Sequence, residues 1–234
     1  GDPYAISSAN RTGLGDMLDH VCSYFQAVET EEEEDDAIRV AIVGKPNVGK
    51  SSIINRLIGE NRLIVSSIAG TTRDAIDTKV RHDGKDYIFI DTAGIRRKNK
   101  IKENLERYMI VRTVGAVERA DITVLVIDAQ EGITEQDAKI AGIAHERGKA
   151  VIVAVNKWDL IEKDNKTVNK FTDKIRSVLS FLSYAEIMFI SAETGQRLIK
   201  LYDEIDMVYA NMNLRIQTGV LNEIITEAAI MQQP

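Results

Sequence analysis

Between Gly44 and Ser51 the chain reads Gly-Lys-Pro-Asn-Val-Gly-Lys-Ser, with an apolar run before it and a helix-like run after it. Glycines without a Cβ let successive backbone N–H groups turn toward one anion, and the start of a helix adds the positive end of its dipole. That combination binds phosphate. Asn47, Val48, Gly49, Lys50, Ser51 and Ser52 are expected to line it. Lys50 should reach the β- and γ-phosphates, Ser51 should give a hydroxyl to Mg2+, and the Ser52 N–H should meet the α-phosphate.

Three further groups fall at the ends of apolar, strand-like runs. Asp91-Thr92-Ala93-Gly94 follows Tyr87-Ile88-Phe89-Ile90. A carboxylate there is placed to hold Mg2+, usually through water, and Gly94 lets its N–H approach the γ-phosphate. Asn156-Lys157-Trp158-Asp159 follows Val151–Val155. Asp159 can accept from the N1–H and the exocyclic amine of guanine, a donor pair that adenine lacks, while Asn156 and the Lys157 stem support the base and the loop. Ser191-Ala192, after Ile187–Ile190, can offer a backbone N–H to guanine O6. The expected ligand is therefore GTP or GDP, with Thr71, Thr72, Asp91, Thr92, Ala93, Gly94 and Ile95 as the segments that respond to the γ-phosphate.

The elements that would carry these groups alternate between buried strands and helices, the pattern of a mostly parallel sheet covered on both faces. Ile38–Val43 begins it, followed by a helix over Ser51–Ile58 closed by Gly59. Polar and apolar residues alternate on either side of Asp83-Gly84, as in a tight hairpin, so one strand near Ile76–Arg81 is expected to be antiparallel at the edge. Strands at Ile122–Ile127, Val151–Val155 and Ile187–Ile190 are separated by helical patterns at about 101–118, 135–147, 165–182 and 196–212. The expected fold class is α/β, a Ras-like P-loop G domain over residues 37–212.

The flanks read differently. Of the 234 residues, Glu29 to Asp36 contribute seven acids, so a net charge of −6 conceals a remainder of +1. Such a block repels itself and buries nothing, as an extended linker over residues 29–36 would. Before it, Ile6-Ser7-Ser8-Ala9 leads into a helix-like run, much as Ile190-Ser191-Ala192-Glu193 does later, so residues 1–28 read as the tail of a preceding similar domain. Residues 213–234 carry a helix pattern from Thr218 whose apolar face needs a partner, and read as the start of a truncated domain. The single Cys22 sits among apolar residues, no run approaches the ~20 apolar residues of a membrane span, and no secretory leader opens the sequence; a cytoplasmic setting without a membrane partner fits.

The phosphate loop, Ala69-Gly70-Thr71-Thr72-Arg73-Asp74, Asp91-Thr92-Ala93-Gly94-Ile95-Arg96 and Val155-Asn156-Lys157-Trp158-Asp159 together resemble the second G domain of the EngA/Der family over nearly the whole chain. The resemblance implies a GTPase acting in assembly of the large ribosomal subunit. Its partners would be a ribosomal particle or rRNA, a preceding G domain and a following KH-like domain. By the same resemblance Thr72 joins Mg2+ when GTP is bound. Many G domains place a water-orienting glutamine after Asp-x-x-Gly, where this chain has Ile95; in several relatives with a hydrophobic replacement, K+ sits against the phosphates, and Asn47 matches its asparagine ligand. The five basic residues within Arg96–Lys102 would offer a nucleotide-gated RNA contact. A GTPase of another RNA process (tRNA modification or small-subunit assembly), a nucleotide-gated binding module with negligible turnover, and a regulator of the neighbouring domain remain as alternatives.

Overall fold

The structure is a computed structural model that describes residues 36–60, 66–69, 76–92 and 105–231. The chain divides into two units, Gly1–Asp36 and Ala37–Pro234. The expected domain tail at residues 1–28 and almost all of the acidic linker lie outside the described residues.

The second unit is built on a seven-stranded sheet: β1 (Ile38–Val43), β2 (Ser66–Ala69), β3 (Ile76–His82), β4 (Lys85–Ile90), β5 (Ile122–Asp128), β6 (Ala150–Asn156) and β7 (Glu186–Phe189). Their order across the sheet is β2-β3-β4-β1-β5-β6-β7. β4, β1, β5, β6 and β7 pair in parallel, and β3 is antiparallel to both of its neighbours. The antiparallel strand expected near Ile76–Arg81 is thus present, but one place in from the edge, because β2 pairs with its outer side. β2 reads only Ser-Ser-Ile-Ala, too short and polar to announce itself; its pairing with β3 makes it a strand.

Helices α1 (Lys50–Glu60), α2 (Leu105–Arg119), α3 (Glu135–Glu146), α4 (Thr167–Val178) and α5 (Lys200–Met212) cover both faces. Alternate side chains of the parallel strands point to opposite sides, so each strand feeds two cores. Val40, Val124 and Ile152 pack with Ile53, Leu57, Leu201 and Ile205, under α1 and α5. Ala41, Leu125 and Val153 pack with Val117, Ile140, Ala144 and Ile175, under α2, α3 and α4. Every residue of β5 is buried, which explains its unbroken apolar run. Gly59 does not close α1, which runs on to Glu60; it lacks the positive φ of a left-handed cap. Gly148 does act as a stop, at φ 63° just after α3, its N–H donating to His145 O.

The sheet brings the carboxyl ends of β1, β4, β5 and β6 to one edge, where ligands of open α/β sheets bind. The turns after β1, β4 and β6 carry residues singled out above, as does the turn after β7. At the chain's end, α6 (Thr218–Met231) buries none of its residues, and Val220, Leu221, Ile224 and Ile225 are exposed.

Candidate nucleotide site

The loop from Gly44 to Gly49 joins β1 to α1, and its shape depends on three left-handed residues. Gly44 has φ 145°, Asn47 φ 65° and Gly49 φ 100°. A Cβ on Gly44 would stand 2.5 Å from the Val126 carbonyl oxygen, and one on Gly49 would collide with Asn156 Nδ2. The glycines therefore serve both the turn and its close approach to β5 and the β6 end. Val48 is buried, Asn47 and Ser52 are exposed, and Ser51 is half-buried at the start of α1.

Lys50 Nζ folds back over the loop and donates to the carbonyls of Gly44 (2.7 Å) and Lys45 (2.5 Å). Burial pushes its ammonium down to about 8, so the loop holds a cation that gains from an incoming anion. Lys45 anchors the loop from behind. It pairs with Glu131 at 2.6 Å and with the fully buried Asp137 at 3.5 Å, and Asp137 also closes the capping box of α3 with Thr134.

At the end of β4, Asp91 takes φ 54°, and its N–H donates to Asp77 Oδ1 at 2.9 Å. Its carboxylate pairs with Arg112 of α2 at 3.0 Å, and Asp77 is in turn paired with Arg119. Lys50, Asp91 and Arg112 line one cavity of about 210 Å3 beside Gly44 and Pro46. A hydroxyl at the start of α1 and a carboxylate at the end of β4 are hard oxygen donors suited to Mg2+, which takes few protein ligands beside phosphates and water. Thr92 is fully buried and shares a 2.8 Å hydrogen bond with Thr78, so its side chain faces the interior. Thr71, Thr72, Ala93, Gly94, Ile95 and the basic segment 96–102 lie outside the described residues.

The other half of the site is the turn after β6. Asn156 is buried and ties two loops together: Nδ2 donates to Val48 O (2.8 Å) and Oδ1 accepts from Ala192 N–H (2.9 Å). Lys157 is left-handed at φ 60°, and the Trp158 N–H donates to Ile190 O at 3.1 Å. The Trp158 ring is buried against Phe171 and Phe189. That turn presents Asp159, whose Oδ1 is buried and has no hydrogen-bond partner among the described residues. An orphaned buried carboxylate oxygen is costly, and a ligand with a matched N–H would relieve it.

In the Ser191-Ala192 turn, expected to offer a backbone N–H to guanine O6, the Ala192 N–H donates to the buried Asn156 Oδ1 and the Ser191 N–H donates to Gln196 O at 3.1 Å.

Residues 39–157, just over half the chain, match the family described as 50S ribosome-binding GTPase. The chain belongs to that GTPase family. It is 68% identical over its whole length to "GTPase Der" of Lachnoclostridium phytofermentans and 67% identical to "GTPase Der" of Agathobacter rectalis, as the EngA/Der resemblance implied. It spans about half the length of these curated relatives, 53% of each. Among solved structures it is similar to Era in complex with MgGDPNP and a segment of 16S ribosomal RNA, at 37% identity and a TM-score of 0.56. That match covers 73% of this chain and 56% of the Era chain. Elongation factor SelB from Methanococcus maripaludis, at 20% identity and a TM-score of 0.58 over 78% of this chain and 35% of its own, shares the fold.

The GTPase site also contains residues that sequence reasoning passed over: Lys45, Asp77, Arg112, Asp128 and Asp137. Two left a trace. Asp128 is an acid closing an otherwise apolar strand, and Thr134-Glu-Gln-Asp137 has the spacing of a capping box. Arg112 and Asp77 carry no local pattern; the packing of α2 on β1 and the pairing of β3 with β4 bring them to Asp91.

Proposed function

We propose that this domain binds GTP and GDP with Mg2+, hydrolyses GTP to GDP and phosphate, and works as a switch in assembly of the large ribosomal subunit. The observation that carries guanine recognition is the buried Asp159 Oδ1, without a hydrogen-bond partner among the described residues and presented by a turn that Asn156 ties to the phosphate loop. Guanine N1–H and its amine are the donor pair such a carboxylate lacks.

In this reading Lys50 exchanges its two carbonyl contacts for phosphate oxygens, and the loop N–H groups from Asn47 to Ser52 surround the phosphates. Ser51, Asp91 and Thr72 hold Mg2+, which when bound supplies positive charge among the phosphate oxygens. Thr71 and Thr72 on one side and Asp91 to Ile95 on the other respond to the γ-phosphate. Ile95 has no group to orient water, so unaided hydrolysis is slow; Asn47 would hold a K+ ion, which would supply positive charge beside the β- and γ-phosphates. The family's description as 50S ribosome-binding supports the ribosomal role, and we place the domain in the cytoplasm; among the described residues no helix is long and apolar enough to cross a membrane.

We read residues 1–28 as the end of a preceding G domain, 29–36 as a linker, and 213–234 as the opening of a KH-like domain. The bare apolar face of α6 and the half-length coverage of the relatives support this division. The test is phosphate release from GTP by this fragment, in KCl and in NaCl at equal ionic strength, with and without large-subunit particles. Faster turnover in KCl and acceleration by the particles are expected. Equal rates in the two salts would remove the K+ role, and no response to particles would remove the ribosomal one.

A further inference from the structure

We propose that Asp128 is a positioning residue for guanine recognition, acting through Lys157. The proposal rests on the guanine-nucleotide reading of this site and adds to it a residue on a different strand.

Asp128 ends β5 directly across from Asn156, the last residue of β6. It is 4% exposed. A carboxylate taken that far out of water must be paired, and both of its oxygens are. Oδ1 accepts from the Gln130 N–H at 2.9 Å, which turns the chain out of the strand, and Oδ2 accepts from Lys157 Nζ at 2.5 Å. The first bond is local and shapes the 128–132 turn, with Gly132 N–H on the Asp128 carbonyl. The second crosses to the neighbouring strand and fastens the far end of Lys157.

Lys157 needs that fastening. Its backbone is left-handed, φ 60° and ψ 31°, a conformation a residue with a Cβ resists. The residues on either side are held by other parts of the sheet: Asn156 by Val48 and Ala192, Trp158 by Ile190. The Lys157 side chain is hydrogen-bonded to the end of β5. With Nζ bonded to a buried carboxylate, the four-carbon stem is stretched between β6 and β5 rather than waving in solvent. A base facing Asp159 then meets an apolar, ordered stem whose conformational entropy is already spent. Asp128 itself touches no part of the nucleotide.

The two bonds can be separated. Asp128→Asn keeps an oxygen for the Gln130 N–H but turns an amide donor toward the Lys157 ammonium, so the turn survives and the tether is lost. Asp128→Ala removes both. The readout is release of a fluorescent GDP analogue from the whole chain, beside the thermal midpoint. Asp128→Asn is expected to speed release about tenfold, the scale of one charge-assisted hydrogen bond, with the midpoint nearly unchanged. In a Lys157→Ala background the same substitution should change release less than twofold, because nothing remains to tether. Equal acceleration in both backgrounds, or release unchanged by Asp128→Asn, would overturn the proposal. If Asp128→Ala lowers the midpoint while Asp128→Asn alters neither the midpoint nor release, Asp128 only shapes the turn and the proposal fails. Failure of the unmodified chain to bind the analogue would instead overturn the nucleotide reading beneath it.

Discussion

Asn156→Ala tests how the two halves of the site are joined. The side chain is 1% exposed and makes two bonds, to the Val48 carbonyl and from the Ala192 N–H. Val48 and Ala192 are themselves buried, so water cannot readily replace the lost partner. Each orphaned group costs about 1–3 kcal/mol, and partial relaxation of two loops should keep the sum near ~3 kcal/mol. Against a total stability of about 5–15 kcal/mol that is a large fraction. The assay is urea unfolding without nucleotide, followed by GDP affinity on the same preparation. Asn55→Ala, on the exposed side of α1, is the control and should move stability by no more than about 0.5 kcal/mol. GDP affinity should fall at least about tenfold in Asn156→Ala, because the phosphate loop and the base turn then move independently. A stability loss under about 1 kcal/mol with GDP affinity intact would refute the joining role.

Two other outcomes follow from single positions. Gly49→Ala adds a methyl at φ 100° against the pinned Asn156 amide, which has no room to withdraw, so phosphate binding should be lost while strand content by circular dichroism persists. Asp164 accepts from Thr167 Oγ1 and the Lys166 N–H before α4, which lowers its carboxyl from 3.8 to about 2. A depressed carboxylate stabilises the folded state above its unfolded value and loses that effect as pH falls from about 4 through about 2. Acid unfolding of Asp164→Asn should therefore be less steep across that window than that of the parent chain.

What could be read in the sequence was what local spacing fixes. Phosphate loops and strand-end acids are short patterns, and the apolar runs of β5 and β6 are buried on both faces, so their positions followed directly. β2 was not legible, because Ser66–Ala69 has no strand character apart from its partner. Gly59 misled because a glycine permits a left-handed cap without requiring one, and here it keeps a helical backbone without positive φ. The residues behind the site were hidden for a related reason. Lys45 meets Asp137, Asp91 meets Arg112, and Lys157 meets Asp128 only after β-strands far apart in sequence become neighbours. The Ala192 N–H is a further case: its bond to Asn156 Oδ1 comes from another strand, which the sequence of the turn does not show.

Guanine selection by Asp159 is read out by calorimetric titration of GDP, ADP and XDP against the parent chain and Asp159→Asn. The parent is expected to bind GDP and to discriminate against ADP and XDP by a factor of at least about 1,000, the scale set by leaving buried polar groups unpaired. Asp159→Asn should lose GDP and gain XDP, because an amide donor then faces the second carbonyl of xanthine. Parent binding of ADP as tight as GDP, or an unchanged preference in Asp159→Asn, would contradict selection by Asp159.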